Sequence, residues 1–210
     1  MTGINLQRIK RETALVTIEG TAPLIVHQWS EKAKRMMLDA QQGKKNPKVV
    51  KDPKRDWLDS MYRFESSDRD VAEPLDSHGV PTMALKSATV KGGGRAFGKS
   101  VKMTELRQSL VFLPDGMGDD GLQLTRLLID EEPVMREDMV RVGMGTADIR
   151  YRAEYRRWGA VLRVQFMPNV IDLESIVALI DAGGSNGVGE WRPEKNGSFG
   201  TYQVTGEDVE

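Results

Sequence analysis

The C-terminal quarter of the chain contains the feature that most restricts the fold: a strand, a helix, a glycine-rich loop and another strand in direct succession. Residues 158–166 alternate apolar and polar side chains, which is typical of a strand with one buried face. Asp172 is a suitable N-cap for a helix whose apolar residues recur at i, i+3, i+4 and i+7. Gly183 is predicted to end that helix, and residues 199–204 form the last strand.

Shorter patterns precede this unit. Ala14–Glu19 alternates like a half-buried strand, a short strand follows at 24–26, and Ser30 is a candidate cap for a helix over 31–42. Residues 82–91 predict a short helix that stops at three glycines. Four further segments are predicted as two pairs of strands: 110–113 with 124–129, and 139–142 with 148–155. The mixture indicates an α+β protein.

Composition removes several functional classes. The sequence has no cysteine, which excludes disulfides and thiolate metal sites, and two histidines leave little for a structural zinc site. The N-terminus has no apolar signal region, and no apolar run approaches the length that spans a membrane. We therefore expect a protein of the reducing cytoplasm, with no metal, no cofactor and no membrane partner.

The net charge of −1 conceals an uneven distribution. Residues 32–55 hold nine Lys/Arg and two acids, and residues 150–163 hold five arginines and one acid. Residues 115–138 hold eight acids and two arginines. A chain sorted in this way can present basic surfaces that attract a phosphate backbone. The alternative is that these runs are solvated faces of helices and hairpins. Within the first run, 43–53 is predicted to be a mobile basic loop.

The glycine-rich segment 183–200 suits contact with phosphate or sugar, because glycine tolerates positive φ and allows close backbone approach. Trp191 offers a stacking face, and Arg192 offers a phosphate or base contact. The alternative is a long turn whose Trp191 packs on the core.

The order of strand, helix, and G-x-G followed by K-x-G-x-F-G into a final strand resembles the end of the repeat-associated (RAMP) proteins of CRISPR effector complexes. The resemblance rests on six residues: Gly187, Gly189, Lys195, Gly197, Phe199 and Gly200. It implies a ferredoxin-like fold and a C-terminal loop that helps to hold RNA. Glu190 and Glu194 depart from the pattern, and a second copy of the fold is not evident. The segments DIRYRAEYRRWGAVLRVQF and GVGEWRPEKNGSFG also resemble a widespread group of bacteriophage proteins, which implies a viral origin but no activity.

Residues 150–158 (RYRAEYRRW) interleave arginines with aromatic rings. On a strand, Arg150, Arg152 and Arg156 share one face, while Tyr151, Tyr155 and Arg157 share the other. Arginine binds phosphate bidentately and stacks on bases, so this is the strongest nucleic-acid signal in the chain. The alternative is a two-faced strand with buried rings and solvated arginines.

Residues 93–100 (GGRAFGKS) match the phosphate-binding P-loop pattern, with Lys99 and Ser100 in the phosphate and magnesium roles. Asp130 in LLIDEE would serve the metal. The preceding KSATVK is not a buried apolar strand, and alternating βαβ units are missing, so the context argues against a P-loop. The alternative is a basic loop whose cations touch phosphate: Lys91, Arg95, Lys99 and Lys102.

Other catalytic patterns are sparse. His27 follows a strand and is a candidate general base for a nuclease, but no placed nucleophile accompanies it. The acids at 130–132 are a candidate metal site, with a solvated turn as the alternative. We therefore predict no catalytic residues and no enzyme.

We predict one α+β domain over 1–210, with a ferredoxin-like (RRM-like) antiparallel sheet and helices on one face. Its core is expected at 14–42 and 158–206, with 43–157 as a large insertion. The predicted function is non-catalytic binding of single-stranded DNA or RNA by a homo-oligomer or a subunit of a larger complex, in the bacterial host cytoplasm if phage-encoded. The predicted nucleic-acid contacts are Lys44, Lys45, Lys48, Lys51, Arg95, Lys99, Arg150, Arg152, Arg156, Arg157, Trp191, Arg192 and Lys195. The alternatives are a phage protein-interaction factor, such as an inhibitor of a host defence complex, and a P-loop NTPase.

Overall fold

The computed structural model describes residues 8–29, 31–44, 50–65, 67–72, 74–141 and 147–209. The strands in these ranges are β1 (Glu12–Gly20), β2 (Leu24–Val26), β3 (Gly79–Pro81), β4 (Val111–Leu113), β5 (Gly116–Met117), β6 (Gln123–Arg126), β7 (Val134–Arg141), β8 (Ala147–Tyr155), β9 (Gly159–Phe166) and β10 (Tyr202–Val209). The α-helices are α1 (Glu31–Gln41), α2 (Pro53–Leu58), α3 (Thr82–Ala96), α4 (Met103–Ser109) and α5 (Leu173–Asn186). Two short 3₁₀ turns cover Leu75–Ser77 and Pro193–Lys195.

The central sheet confirms the predicted fold class. Its order is β10-β1-β9-β4, and every neighbouring pair is antiparallel. Along the chain, the elements β1, α3, β4, β9, α5 and β10 therefore follow the β-α-β-β-α-β order of a ferredoxin-like domain. The three segments predicted to share one sheet, at 14–19, 158–166 and 199–204, correspond to β1, β9 and β10.

Alternation sets the inner face of this sheet. Val16 pairs with Leu162 in the β1–β9 ladder, and both side chains are buried. The polar neighbours Thr17 and Arg163 point to the opposite face, as the period of two in a strand requires. Asp172 caps α5 as predicted, because its Oδ1 accepts a hydrogen bond of 2.7 Å from the Ser175 backbone N–H.

The glycines at 92–94 do not end a helix, contrary to the prediction; they lie inside α3. A Cβ at Gly92 would collide with the carbonyl group of Ala182 in α5, and one at Gly183 would lie 2.8 Å from Cα of Thr89. Gly183 likewise lies within α5, which continues to Asn186 and ends at Gly187 with φ of 72°. Glycine weakens a helix by about 1 kcal/mol relative to alanine. Here it allows the two helix backbones to touch.

The first helix of the ferredoxin-like core is α3 rather than the helix predicted at 31–42. α3 packs on α5, whereas Met36, Met37 and Leu38 of α1 are exposed. The β4 strand also comes from the segment expected to be an insertion. The core is therefore drawn from more of the chain than periodicity indicated.

Two smaller sheets flank the core, with orders β2-β8-β7 and β3-β6-β5. The β7–β8 hairpin matches the predicted pairing of 139–142 with 148–155, with Asp138 opposite Arg150 and Arg136 opposite Arg152. No helix in the described ranges is long and apolar enough to cross a bilayer.

Candidate functional site

The loop between α5 and β10, residues 187–200, closes on itself and on β2. The Val188 N–H donates to the Gly200 carbonyl oxygen over 2.9 Å, and the Glu190 N–H donates to the Ile25 carbonyl oxygen over 2.8 Å. Gly189 and Gly200 have φ of 75° and 67°, and a Cβ at either would collide with a backbone carbonyl group. These glycines therefore fix the loop's shape and dock it on β2.

Trp191 lies at the surface of this loop. Its residue is 40% exposed, and its indole Nε1–H donates to Oδ2 of Asp138 over 3.4 Å. Its φ of 51° is in the left-handed region, which costs a bulky residue about 1–3 kcal/mol. Such strain is concentrated at ligand-binding positions. Trp191 is not sealed in the core, so the packed-turn alternative does not describe it.

One side of the loop faces the C-terminal part of α3 and is rich in cations. Arg95 Nη1 donates to Oδ1 of Asn186 over 2.6 Å, so its contact is with a neutral amide. Lys195 is exposed in the turn 193–195. We call the following four side chains the cationic rim: Lys91, Arg95, Arg192 and Lys195. Lys99 is exposed in the turn that follows α3.

Glu194 links two residues of the rim, Lys91 and Arg192. Its carboxylate accepts from Lys91 Nζ over 2.6 Å and from Arg192 Nε over 2.9 Å. The hydrogen bond from Lys91 is the main cause that lowers the pKa of Glu194 to about 2; burial opposes the shift, and Arg192 adds to it. The contacts described for the rim thus include one acid for four cations. The salt bridge also joins α3 to the loop.

The other side of the loop packs on β7 and β8. Arginines of these two strands form ion pairs with nearby acids. Arg152 is 3% exposed, with Nη1 at 3.1 Å from Asp138 Oδ2 and Nη2 at 3.8 Å from Glu190 Oε2. Burial works against ionisation of Asp138, but Arg136 and Arg152 outweigh it and lower its pKa. Eight charged side chains make up this hairpin face: Arg136, Asp138, Asp148, Arg150, Arg152, Glu154, Arg156 and Glu190.

The prediction that Arg150, Arg152 and Arg156 present one exposed face is wrong in two respects. Arg152 is buried beneath the loop, and Arg156 lies beyond the end of β8, with its Nε 4.0 Å from Glu154 Oε1. Arg150 is half-buried and 3.9 Å from Asp148 Oδ2. Arg157, predicted on the opposite face, also follows the strand and pairs with Asp130 over 3.0 Å. Acids distant in sequence pair with Arg152 and Arg157, whereas Arg150 and Arg156 pair with acids two residues away.

The predicted basic loop is partly described. Lys51 Nζ donates to the carboxylate of Asp148 and to the carbonyl oxygen of Ile149, which brings this segment to the start of β8. Lys44 is exposed and 3.5 Å from Asp39 Oδ1. Lys45 and Lys48 lie outside the described residues. Lys51 of the basic loop and Glu190 and Trp191 of the glycine-rich loop thus all contact the β7–β8 hairpin, but the two predicted arginines of the hairpin are already paired with acids.

The P-loop alternative does not fit the geometry of residues 93–100. Gly93 and Gly94 belong to the last turns of α3, and the lysine and serine follow the helix. A P-loop requires the opposite order, in which the glycine-rich loop precedes a helix whose N-terminus faces the phosphates. Among the described residues, no group of three or more histidine or acidic side chains is placed to hold a metal ion.

Some residues of this site carry no signal in the sequence. Asn186 accepts a hydrogen bond from Arg95, and Asp138 accepts hydrogen bonds from Arg152 and Trp191. Neither Asn186 nor Asp138 belongs to a sequence pattern that marks it as functional. The partners are far apart in sequence: 91 residues separate Arg95 from Asn186, and 14 and 53 residues separate Asp138 from Arg152 and Trp191. Only the folded arrangement identifies them.

The fold is similar to that of a chain in the cryo-EM structure of the type III-B Cmr-beta bound to cognate target RNA. The TM-score is 0.55 at 8% sequence identity, over 95% of this chain and 61% of that chain. This protein thus spans about three fifths of the neighbour's length. The crystal structure of Cmr6 from Pyrococcus furiosus also matches, with a TM-score of 0.44 and 10% identity, over 94% of this chain and 100% of that chain.

The likeness to the Cmr-beta chain supports the resemblance based on the C-terminal unit at the level of the fold alone. No protein-family model and no curated protein matches the sequence.

Proposed function

We propose that this protein binds single-stranded nucleic acid along the cationic rim, with Trp191 stacking on a base. The observation that carries the proposal is the strained and partly exposed Trp191, which lies in the same loop as Arg192 and Lys195 of a rim whose cations outnumber their acid partners. Aromatic stacking and backbone electrostatics together are the usual means of binding single strands. A neighbour of the same fold was solved bound to target RNA, which supports the proposal.

The interface differs from the one that the sequence predicted. Its phosphate contacts are Arg95, Arg192 and Lys195 of the rim together with Lys99 in the turn after α3, and its stacking residue is Trp191. Arg152 of the hairpin face instead supports the loop through Glu190, and Asp138 also compensates its charge.

The proposal is tested by measuring oligonucleotide affinity at several salt concentrations, for RNA and DNA strands of equal length. Replacing Arg95, Lys99 and Lys195 together with alanine should raise Kd at least tenfold at low salt. For single strands, each phosphate contact contributes about 0.7 to the slope of log affinity against log salt concentration. Loss of three such contacts should therefore make that slope shallower by about 2. Trp191→Ala should weaken binding by about 1–3 kcal/mol without changing that slope.

A matched control removes the same charge elsewhere: Lys10→Ala, Lys54→Ala and Arg107→Ala, all exposed positions outside the rim. Equal losses of affinity in the two triple variants would show that binding follows net charge and would remove the rim from the proposal. Wild-type protein that binds neither RNA nor DNA would refute the function.

We also propose that the protein acts within an assembly. On the face of the hairpin away from the loop, Met139 is 77% exposed and lies opposite Ile149, which is also exposed. Apolar side chains of this size at a sheet edge are typical of a contact surface. Light scattering should show a larger particle when oligonucleotide is added, and Met139→Glu should abolish the increase. A particle that captures a host protein but no oligonucleotide would instead favour an interaction factor.

A further inference from the structure

A cleft of about 200 Å³ lies between the glycine-rich loop, the residue after β2 and the first turns of α3. Its apolar wall includes Val26, Tyr62, Val80, Pro81, Ala84 and Val188. Pockets for drug-sized ligands measure about 300–1,000 Å³, so this cleft suits one ring system rather than an extended molecule.

Two polar side chains in the lining have unused hydrogen-bonding capacity. Asn186 is 3% exposed, and its Oδ1 is engaged by Arg95, but its Nδ2 has no partner among the described residues. His27 Nδ1 also lacks a described partner. An unpaired buried polar group costs about 1–3 kcal/mol, so a ligand that bonds to these atoms offsets part of that cost.

Charge and protonation narrow the class of ligand. Burial, with the nearby charges of Arg152 and Arg150, lowers the pKa of His27 to about 4, so the imidazole is neutral and has both a donor and an acceptor nitrogen. Asn186 offers further donors. A flat ring with donors and acceptors in its plane and apolar faces matches this lining, and those are the properties of a nucleobase.

The cleft also adjoins the proposed strand-binding surface. Arg192 and Glu194 belong both to its lining and to the rim contacts, and Asn186 links it to Arg95. We propose that the cleft receives one unstacked base of the bound single strand, an inference that rests on the proposed function. The backbone follows the rim while one nucleotide turns inward, as in other proteins that recognise splayed single-strand bases.

The test fills the cleft without altering a charge. Ala84→Leu, and independently Ser87→Leu, place a larger side chain in its wall; Met83→Leu, on the exposed side of the same helix, is the control. Each protein is titrated with a normal oligonucleotide and with an abasic oligonucleotide of equal length. The measurement is repeated in Trp191→Ala, so that stacking on the indole does not mask the cleft.

In the Trp191→Ala background, the normal strand should bind at least fivefold more tightly than the abasic strand. Ala84→Leu and Ser87→Leu should remove that preference while leaving abasic affinity and the thermal midpoint unchanged, and Met83→Leu should preserve it. A preference that survives both leucine substitutions overturns the cleft proposal alone, because binding itself persists. Saturation of the cleft by free nucleoside monophosphate, with no effect of filling on strand binding, also overturns it. Failure of the wild type to bind any strand instead refutes the proposed function.

Discussion

The cationic rim and the hairpin face lie on opposite sides of one loop, and each contains four cationic side chains. The rim's described contacts include one carboxylate, Glu194, whereas the hairpin face contains four acids among its eight charged residues. The same kind of side chain therefore has two different uses. An arginine that is paired and buried is costly to remove from the fold, while one with a neutral partner at the surface is available for phosphate.

The largest expected effect tests the structural role of the hairpin face. Arg152→Ala leaves the carboxylate of Asp138 with less compensation at a site that is 7% exposed. Breaking a buried pair costs about 3–5 kcal/mol when the remaining charge has no other partner. Because Arg136 still pairs with Asp138, we expect a loss near the lower end of that range in the free energy of unfolding. Chemical denaturation measures it. The control is Arg156→Ala, which is exposed and should change stability by less than about 0.5 kcal/mol.

The double variant Arg152→Ala/Asp138→Ala should be more stable than Arg152→Ala, because it also removes the buried carboxylate that has lost one of its two arginine partners. Wild-type stability in Arg152→Ala, accompanied by a large loss of oligonucleotide affinity, would reverse the assignment of the two surfaces.

The second prediction concerns a variant that makes the rim more positive relative to the hairpin face. Glu194→Gln removes the carboxylate that competes with phosphate for Lys91 and Arg192. We expect oligonucleotide affinity to rise about threefold at low salt, with a steeper salt dependence. Glu174→Gln, an exposed acid in the first turn of α5, is the matched control. A decrease in affinity would mean that Glu194 matters more for positioning Lys91 and Arg192 than for reducing their positive charge.

The third prediction expects a small effect. Arg150→Ala/Arg156→Ala removes the two most accessible arginines of the hairpin face, and each of them already has an acidic neighbour. Kd should change by less than threefold, and the salt slope should stay within experimental error. A tenfold loss would restore these residues to the interface that the sequence predicted.

The smallest effect is spectroscopic. An NMR titration should place the pKa of His27 near 4, because the folded protein buries the ring beside Arg152 and Arg150. Arg150→Ala should raise that pKa without restoring it to 6.5, since burial is the larger cause. An ordinary value in the wild type would show that the cleft is open to water.

Part of the fold follows directly from local pattern. The alternation in 158–166, the N-cap at Asp172 and the apolar spacing behind it predict β9 and α5, and all three are present. The same reasoning misassigned Gly92–Gly94 and Gly183, because glycine in a sequence usually marks the end of a helix. Here the glycines allow α3 and α5 to touch, and the need for close approach is visible only when both helices are in place.

The candidate site also combines features that local sequence indicates with features that depend on tertiary contacts. A tryptophan in a glycine-rich loop is a local feature, and it makes Trp191 a candidate; only the folded chain shows that Trp191 is exposed. The loss of Arg152 from the surface depends on Asp138, which lies 14 residues earlier on the neighbouring strand, and on Glu190 in the loop. Counting charges along a segment does not reveal which acids a fold will bring beside them.

The sequence by itself determined the α+β class, the C-terminal strand–helix–loop–strand unit and the cations within that loop, because periodicity, capping and glycine content act over a few residues. Tertiary structure alone decided which helix completes the core and which arginines remain available. Both depend on contacts between distant segments, where packing distance and the partner's charge outweigh local preference.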